Sequence, residues 1–121
     1  MVALGLLLAG MRRTQRLRDR RDFARVYAQG RPFRSDLLVL RAVHSDGDSR
    51  FGFTANKTLG NAVVRNRVKR RLREAATSLG CRAGWDVVVN ARPVAAKATY
   101  EQLRISMGDL MRRAGVEMTS E

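Results

Sequence analysis

The sequence predicts an α+β fold, a single domain with helices packed against a small sheet. Three observations lead there. Apolar residues recur at helical spacing in three segments and at strand spacing in three others, in the order α-β-β-α-β-α. The chain has 121 residues, enough for one small core and not for two. Its hydrophobic fraction of 45% belongs to a folded protein rather than to a disordered basic tail. No internal repeat or low-complexity segment interrupts the order.

The first element is a short helix in "DRRDFARVYAQ", Asp19 to Gln29. Phe23, Val26 and Tyr27 share one face, Asp19 supplies a cap and Gly30 marks the end. Pro32 prevents the helix from continuing, and the "RPF" stretch leaves room for a further short strand that the pattern does not define. "DLLVLRAVH", Asp36 to His44, is a strand closed by the turn residues Ser45 to Ser49. Asp46-Gly47 within that turn predicts a hairpin with "RFGFTAN", Arg50 to Asn56, as the partner strand. There Phe51, Phe53 and Ala55 share one face, and Gly52, Thr54 and Asn56 share the other. Two uses fit that small, polar second face: close approach of a ligand backbone, or room at Gly52 for a packed helix.

Gly60 and Asn61 form the turn and N-cap of a second helix, expected to run to Leu79 before Gly80 stops it. "WDVVVNARP", Trp85 to Pro93, is a third strand, and its consecutive Val87 to Val89 predict burial on both faces at the centre of the sheet. "TYEQLRISMGDLMRRAG", Thr99 to Gly115, is the last helix. Thr99 caps it, Glu101 lies in its first turn, and Leu103, Met107, Leu110 and Met111 form its apolar stripe.

Lys and Arg number 24 against 11 acids, a formal charge of +13. That excess makes a polyanion the leading partner class: RNA, DNA or an anionic membrane. All the basic residues except Lys57, Lys69 and Lys97 are arginines. Arginine suits phosphate through its bidentate fork, although genomic base composition also produces such a bias. Cys81 is the only cysteine, which excludes an intramolecular disulfide and a Cys-rich metal site and fits a reducing, cytosolic compartment. His44 is the only histidine and ends a strand beside a turn, a poor position for nucleophile–histidine catalysis. The opening "MVALGLLLAG" is too short to span a membrane, and Arg12 and Arg13 follow its apolar run instead of preceding it as in a secretory signal. Met11 offers a second start, and the segment before it is expected to be mobile or loosely docked.

The second helix carries the chemistry. Val64, Val68, Leu72, Ala75 and Leu79 line one narrow stripe, which should pack on the sheet. Arg65, Lys69 and Arg73 form a row on one flank, Asn66 and Arg70 lie beyond it, and Arg67 and Arg71 return to the other edge. Between Asn61 and Leu79 stand six basic residues and one acid, Glu74, a net of +5. Like charges at i, i+4 repel, and a helix needing only solubility would mix its signs. The row therefore points to a polyanion more than to a merely solvated face. At the helix start, free backbone N–H groups, Lys57, Gly60 and Asn61 make a candidate phosphate seat, with no acid in the first turn. The spacing does not match a P-loop, and no nucleotide hydrolysis site is evident.

With these residues in view, "NKTLGNAVVRNRVKRRLREA", Asn56 to Ala75, resembles the signature of the protein subunit of bacterial ribonuclease P, including its Arg-Asn-Arg element at Arg65-Asn66-Arg67. The resemblance runs from about Arg16 to Gly115, so residues 16–115 form the expected RNA-binding domain, between an N-terminal extension (1–15) and a C-terminal tail (116–121). It implies a sheet of about four strands, three main helices and a left-handed β-α-β crossover, against the usual right hand. It also implies a partner for a catalytic RNA that removes the 5′ leader from precursor tRNA, with metal-dependent hydrolysis performed by the RNA. No cofactor is then expected on the protein itself, magnesium acts through the RNA, and neither a membrane nor an obligate protein partner is required. Carried over by position, Arg65, Asn66, Arg67, Lys69, Arg70 and Arg73 face the RNA subunit. The cleft between the first helix and the sheet, with Phe23, Tyr27, Gly52, Thr54 and Asn56, holds the leader. Stacking of unstacked bases and simple core packing are both open to Phe23 and Tyr27. The chain departs from the pattern at Asn56-Lys57-Thr58, where Ser-Lys-Lys is common, and at Leu38 and Arg41, where relatives often carry aromatics. Three other readings compete. A ribosomal-type or general structured-RNA-binding protein shares the charge and the fold class. A membrane-surface protein is disfavoured by the weakly apolar Val and Ala stripe. A helix-turn-helix DNA binder lacks its second short helix.

Overall fold

The computed structural model describes residues 16–116 of the chain. Its elements are α1 (Arg20–Gln29), β1 (Phe33–Arg34), β2 (Leu38–His44), β3 (Arg50–Thr54), α2 (Ala62–Leu79), β4 (Trp85–Ala91) and α3 (Tyr100–Ala114). Short 3₁₀ turns at Lys57–Leu59 and Pro93–Lys97 precede α2 and α3. The apolar N-terminal segment expected to be mobile lies outside the described residues.

Local chemistry sets the helix ends. Asp19 accepts from the Arg21 amide (2.9 Å), and Asn61 accepts from the Val64 amide (3.0 Å), each relieving a first-turn N–H. Thr99 and Gln102 close a reciprocal capping box at the start of α3. At the other end Gly115 takes a left-handed conformation (φ 79°), which a residue with a Cβ adopts only with strain.

The sheet order is β1-β2-β4-β3, and the predicted β2–β3 hairpin does not form. Instead β4 lies between them, antiparallel to β2 and parallel to β3. Burial explains the choice: Val87, Val88 and Val89 are apolar towards both faces and fully buried, which a strand achieves only with a neighbour on each side. The Ser45–Ser49 turn opens to receive the approach to β4. The Ser45 amide donates to Gly84 O (2.9 Å) and the Gly84 amide donates to Gly47 O (2.9 Å). β3 also stops at Thr54, short of the predicted Asn56, because Asn56 caps the following 3₁₀ turn. β1 is the short strand that the sequence pattern leaves undefined, and it pairs antiparallel with β2.

The main core lies on one face of the sheet. There Leu38, Leu40, Phe51, Val87 and Val89 meet Val68 and Leu72 of α2 and Leu103, Met107, Leu110 and Met111 of α3. On the other face α1 covers a smaller cluster of Leu17, Val26, Val43 and Val88, with Phe23 against it. α1 covers only part of that face and leaves Arg41, Thr54 and Asn90 partly exposed.

Candidate nucleic-acid interface

α2 is fixed to the core by Val68, Leu72, Ala75 and Ala76, while Val64 and Leu79 at the ends of the predicted stripe are half-buried. That leaves the basic residues on its flanks and outer face. Arg65, Lys69 and Arg73 are half-buried, and Asn66 and Arg70 are exposed. Arg67 and Arg71 turn the other way, donating to Ala96 O (3.3 Å) and Ala98 O (3.0 Å) and tying α2 to the loop before α3. Among the described residues none of the six basic side chains of α2 has an ion-pair partner. The Nε atoms of Arg65, Arg67 and Arg73 are buried without an acceptor, as is that of Arg16.

Arg16 lies beside Phe51 on β3 and adds to the repulsion. Burial, and then the charge of Arg16, push the Arg73 pKa below its ordinary value.

The start of α2 adjoins this row. Asn56 Oδ1 accepts from the Thr58 amide (3.0 Å) and from the Thr58 hydroxyl, so its side chain shapes the turn. Lys57 and Asn61 are exposed, and Gly60 has φ 142°. A Cβ on Gly60 would lie 3.3 Å from Val64 as well as being strained. Lys57, Gly60 and Asn61 therefore come together at a helix start with no acid in its first turn.

The cleft expected from the sequence would fall on the face of the sheet that α1 partly covers. Register places Gly52 opposite Val88 and Thr54 opposite Asn90 on that face. Gly52 is buried beneath Phe23: a Cβ there would lie 2.5 Å from the Phe23 ring. The packed-helix use of Gly52 is therefore the one realised, and Phe23 belongs to the cluster under α1. Tyr27, one turn later, is 43% exposed. Its hydroxyl accepts from Asn90 Nδ2 (2.6 Å), and the Arg41 guanidinium sits 5.0 Å from its ring centroid. Arg41 also donates to Asn90 Oδ1 (3.1 Å), while Asn90 Nδ2 bonds Thr54 Oγ1. Asn56 lies outside this network, at its 3₁₀ cap.

Sequence reasoning missed Arg41 and Asn90 as cleft residues. In the sequence Arg41 stands out only for lacking an aromatic ring, and Asn90 becomes a neighbour of Thr54 only once β4 is central. Leu38, which also lacks the ring, is fully buried in the main core. A third omission is the anchor of α1. Asp86, fully buried on β4, accepts from Arg25, from Arg50 Nε (3.0 Å) and from Arg50 Nη2 (2.7 Å), and Arg50 reaches Asp22 of α1 (3.3 Å). The hydrogen bond to Asp86 is the main reason the Arg50 pKa is raised. Among the described residues no group of three or more His, Cys, Asp or Glu side chains could hold a metal ion, and no helix is long and apolar enough to cross a membrane.

The family model for Ribonuclease P matches residues 11–115. The chain belongs to the ribonuclease P protein family. It is 41% identical over 110 residues to the ribonuclease P protein component of Symbiobacterium thermophilum, covering 88% of this chain and 96% of that one. Identity to the component from Roseiflexus castenholzii is 42% over 110 residues, covering 88% and 90%. The fold is similar to that of the Staphylococcus aureus RNase P protein, with a TM-score of 0.76 at 29% identity over 84% of this chain and 96% of that one. The RNase P protein from Thermotoga maritima gives a TM-score of 0.72 at 26% identity over 81% and 96%. These structures share the α+β architecture with its four-stranded sheet.

Proposed function

We propose that this chain binds the RNA of ribonuclease P through α2 and the 5′ leader of precursor tRNA in the cleft beside α1. It thereby assists endonucleolytic removal of the leader in tRNA 5′ maturation, in the cytoplasm. The observation carrying this reading is the Arg65, Lys69 and Arg73 row, which lacks counter-charges among the described residues. Phosphates of a folded RNA supply acceptors at that density. Asn66, the middle residue of the Arg-Asn-Arg element, adds an exposed amide that suits either a phosphate or a base edge.

In the cleft, Tyr27 offers an aromatic face to an unstacked base, Arg41 adds a cation beside it, and Thr54 and Asn90 offer polar contacts. Lys57, Gly60 and Asn61 stand between the two surfaces, where a phosphate would meet the start of α2. Membership of the family implies that hydrolysis is performed by the RNA with its magnesium, and the surfaces proposed here are assigned binding and orientation only. Reconstitution with a ribonuclease P RNA at low magnesium tests the proposal. The chain should stimulate cleavage of precursor tRNA by the RNA and cleave nothing alone. Binding to structured RNAs in general without stimulation would overturn it.

A further inference from the structure

We propose that Asn90 is a positioning residue, fixing the spacing between the Tyr27 ring and the Arg41 cation so that the pair receives a leader base and a neighbouring phosphate together. This rests on the reading of the face beside α1 as the leader site. Asn90 stands on the central strand, with Val39 and Thr54 as its partners across the two neighbouring strands. Asp86 and Val88, on the same face of β4, are fully buried, whereas Asn90 reaches the part that α1 leaves open. Its amide commits both donors and one acceptor to residues of three different elements. Nδ2 donates to the Tyr27 hydroxyl of α1 (2.6 Å) and to Thr54 Oγ1 of β3, and Oδ1 accepts from Arg41 of β2 (3.1 Å). A guanidinium only donates, so Oδ1 has to face Arg41 and Nδ2 the two hydroxyls. One lone pair of the amide is left for the leader itself, so Asn90 acts mainly through its neighbours.

A hydroxyl that accepts from Nδ2 keeps its own hydrogen, so Tyr27 and Thr54 can each donate to an acceptor on the leader. Arg41 meets the neutral amide and the Tyr27 ring, its guanidinium 5.0 Å from the ring centroid. Among the described residues it has no ion-pair partner. Asp86, the carboxylate of β4 on this face, is committed to Arg25 and Arg50. A ring, a cation with its charge unanswered and two hydroxyl hydrogens are thus all referred to one amide. A carboxylate at position 90 would hold the same three groups but cancel the Arg41 charge. Attachment of α1 does not depend on this network. Asp86 with Arg25, Asp22 with Arg50, and the packing of Phe23 and Val26 hold the helix separately.

The test measures the affinity of the reconstituted holoenzyme for leader-bearing precursor and for leaderless tRNA over a range of salt concentrations. N90A should weaken binding of the leader-bearing substrate several-fold, leave leaderless tRNA unaffected and keep the melting temperature near that of the parent. In the Y27A/R41A background N90A should have little further effect, because the residues it positions are gone. N90D separates holding from charge, since its carboxylate keeps Tyr27 in place but answers Arg41. It should lower the magnitude of the log–log salt slope for the leader-bearing substrate by about 0.7 if Arg41 neutralises one phosphate. N90A, which leaves Arg41 charged, should not change that slope. A loss by N90A that persists in full in the Y27A/R41A background overturns the inference, because Asn90 would then act on the leader directly. So does equal weakening of both substrates with a lower melting temperature, the mark of a purely structural role. A salt slope untouched by N90D overturns it as well. Y27A keeps the two readings apart. Leader selectivity that survives Y27A means that the leader site itself fails, whereas selectivity lost in Y27A and kept in N90A overturns the positioning role alone.

Discussion

Tyr27 and Phe23 lie one turn apart on the same side of α1, yet the fold uses them differently. Phe23 fills the space that Gly52 leaves, whereas Tyr27 keeps 43% of its surface exposed beside Arg41 and Asn90. Tyr27→Ala should therefore keep the fold and bind leaderless tRNA normally. It should bind leader-bearing precursor about tenfold less well, because stacking on an aromatic is worth about 1–3 kcal/mol per base. Phe23→Ala should instead lower stability, towards the low end of about 3–5 kcal/mol because the ring is only half-buried. Denaturation and binding measured on both variants separate the two roles, and a large fall in stability for Tyr27→Ala would make that residue core. Asp86 gives a second prediction. Asp86→Ala removes the buried acceptor shared by Arg25 and Arg50, and breaking a buried pair costs about 3–5 kcal/mol. The two arginines are partly exposed and can rehydrate, so the lower end is expected. Unchanged urea unfolding would mean that α1 is held by its apolar contacts alone.

At the scale of elements, α2 divides its arginines between two tasks. Neutralising Arg65, Lys69 or Arg73 should reduce the magnitude of the salt slope for RNA binding by about 0.7 to 0.9 wherever the side chain neutralises one phosphate, with little change in stability. Arg71→Ala should also lower the melting temperature, since its bond to Ala98 O ties α2 to the following loop, whereas Arg70→Ala should not. Equal melting temperatures for these two variants would remove the anchoring role. The helices were legible in the sequence because caps and apolar stripes are local: Asp19, Asn61 and Thr99 cap as expected, and Leu103, Met107, Leu110 and Met111 are all buried. Strand pairing was less legible. Asp46-Gly47 reads locally as a hairpin, but the burial needs of Val87 to Val89, far along the chain, place β4 between the two strands. Arg41 and Asn90 were missed for the same reason, since their meeting with Tyr27 depends on that non-local register. Gly52 admits two uses in the sequence, and only the placement of α1 over it decides between them.

For the whole molecule, a formal charge of +13 is distributed by the fold instead of being averaged over its surface. The acids of α1 and β4 answer Arg25 and Arg50 inside the structure, while α2 and the β1 edge keep charges with no ion-pair partner among the described residues. That division gives a neutral seam between α1 and the sheet and leaves α2 strongly positive. RNA-free protein is accordingly predicted to leave precursor tRNA intact at any magnesium concentration. Magnesium-dependent cleavage surviving a nuclease-contamination control would contradict that division of labour. The most direct measurement of the central claim compares holoenzyme and RNA alone for their affinities towards precursor tRNA and leaderless tRNA at low magnesium. The chain should tighten binding of the leader-bearing substrate selectively, and Tyr27→Ala should remove most of that selectivity. Equal tightening of both substrates, or selectivity untouched by Tyr27→Ala, would contradict the account.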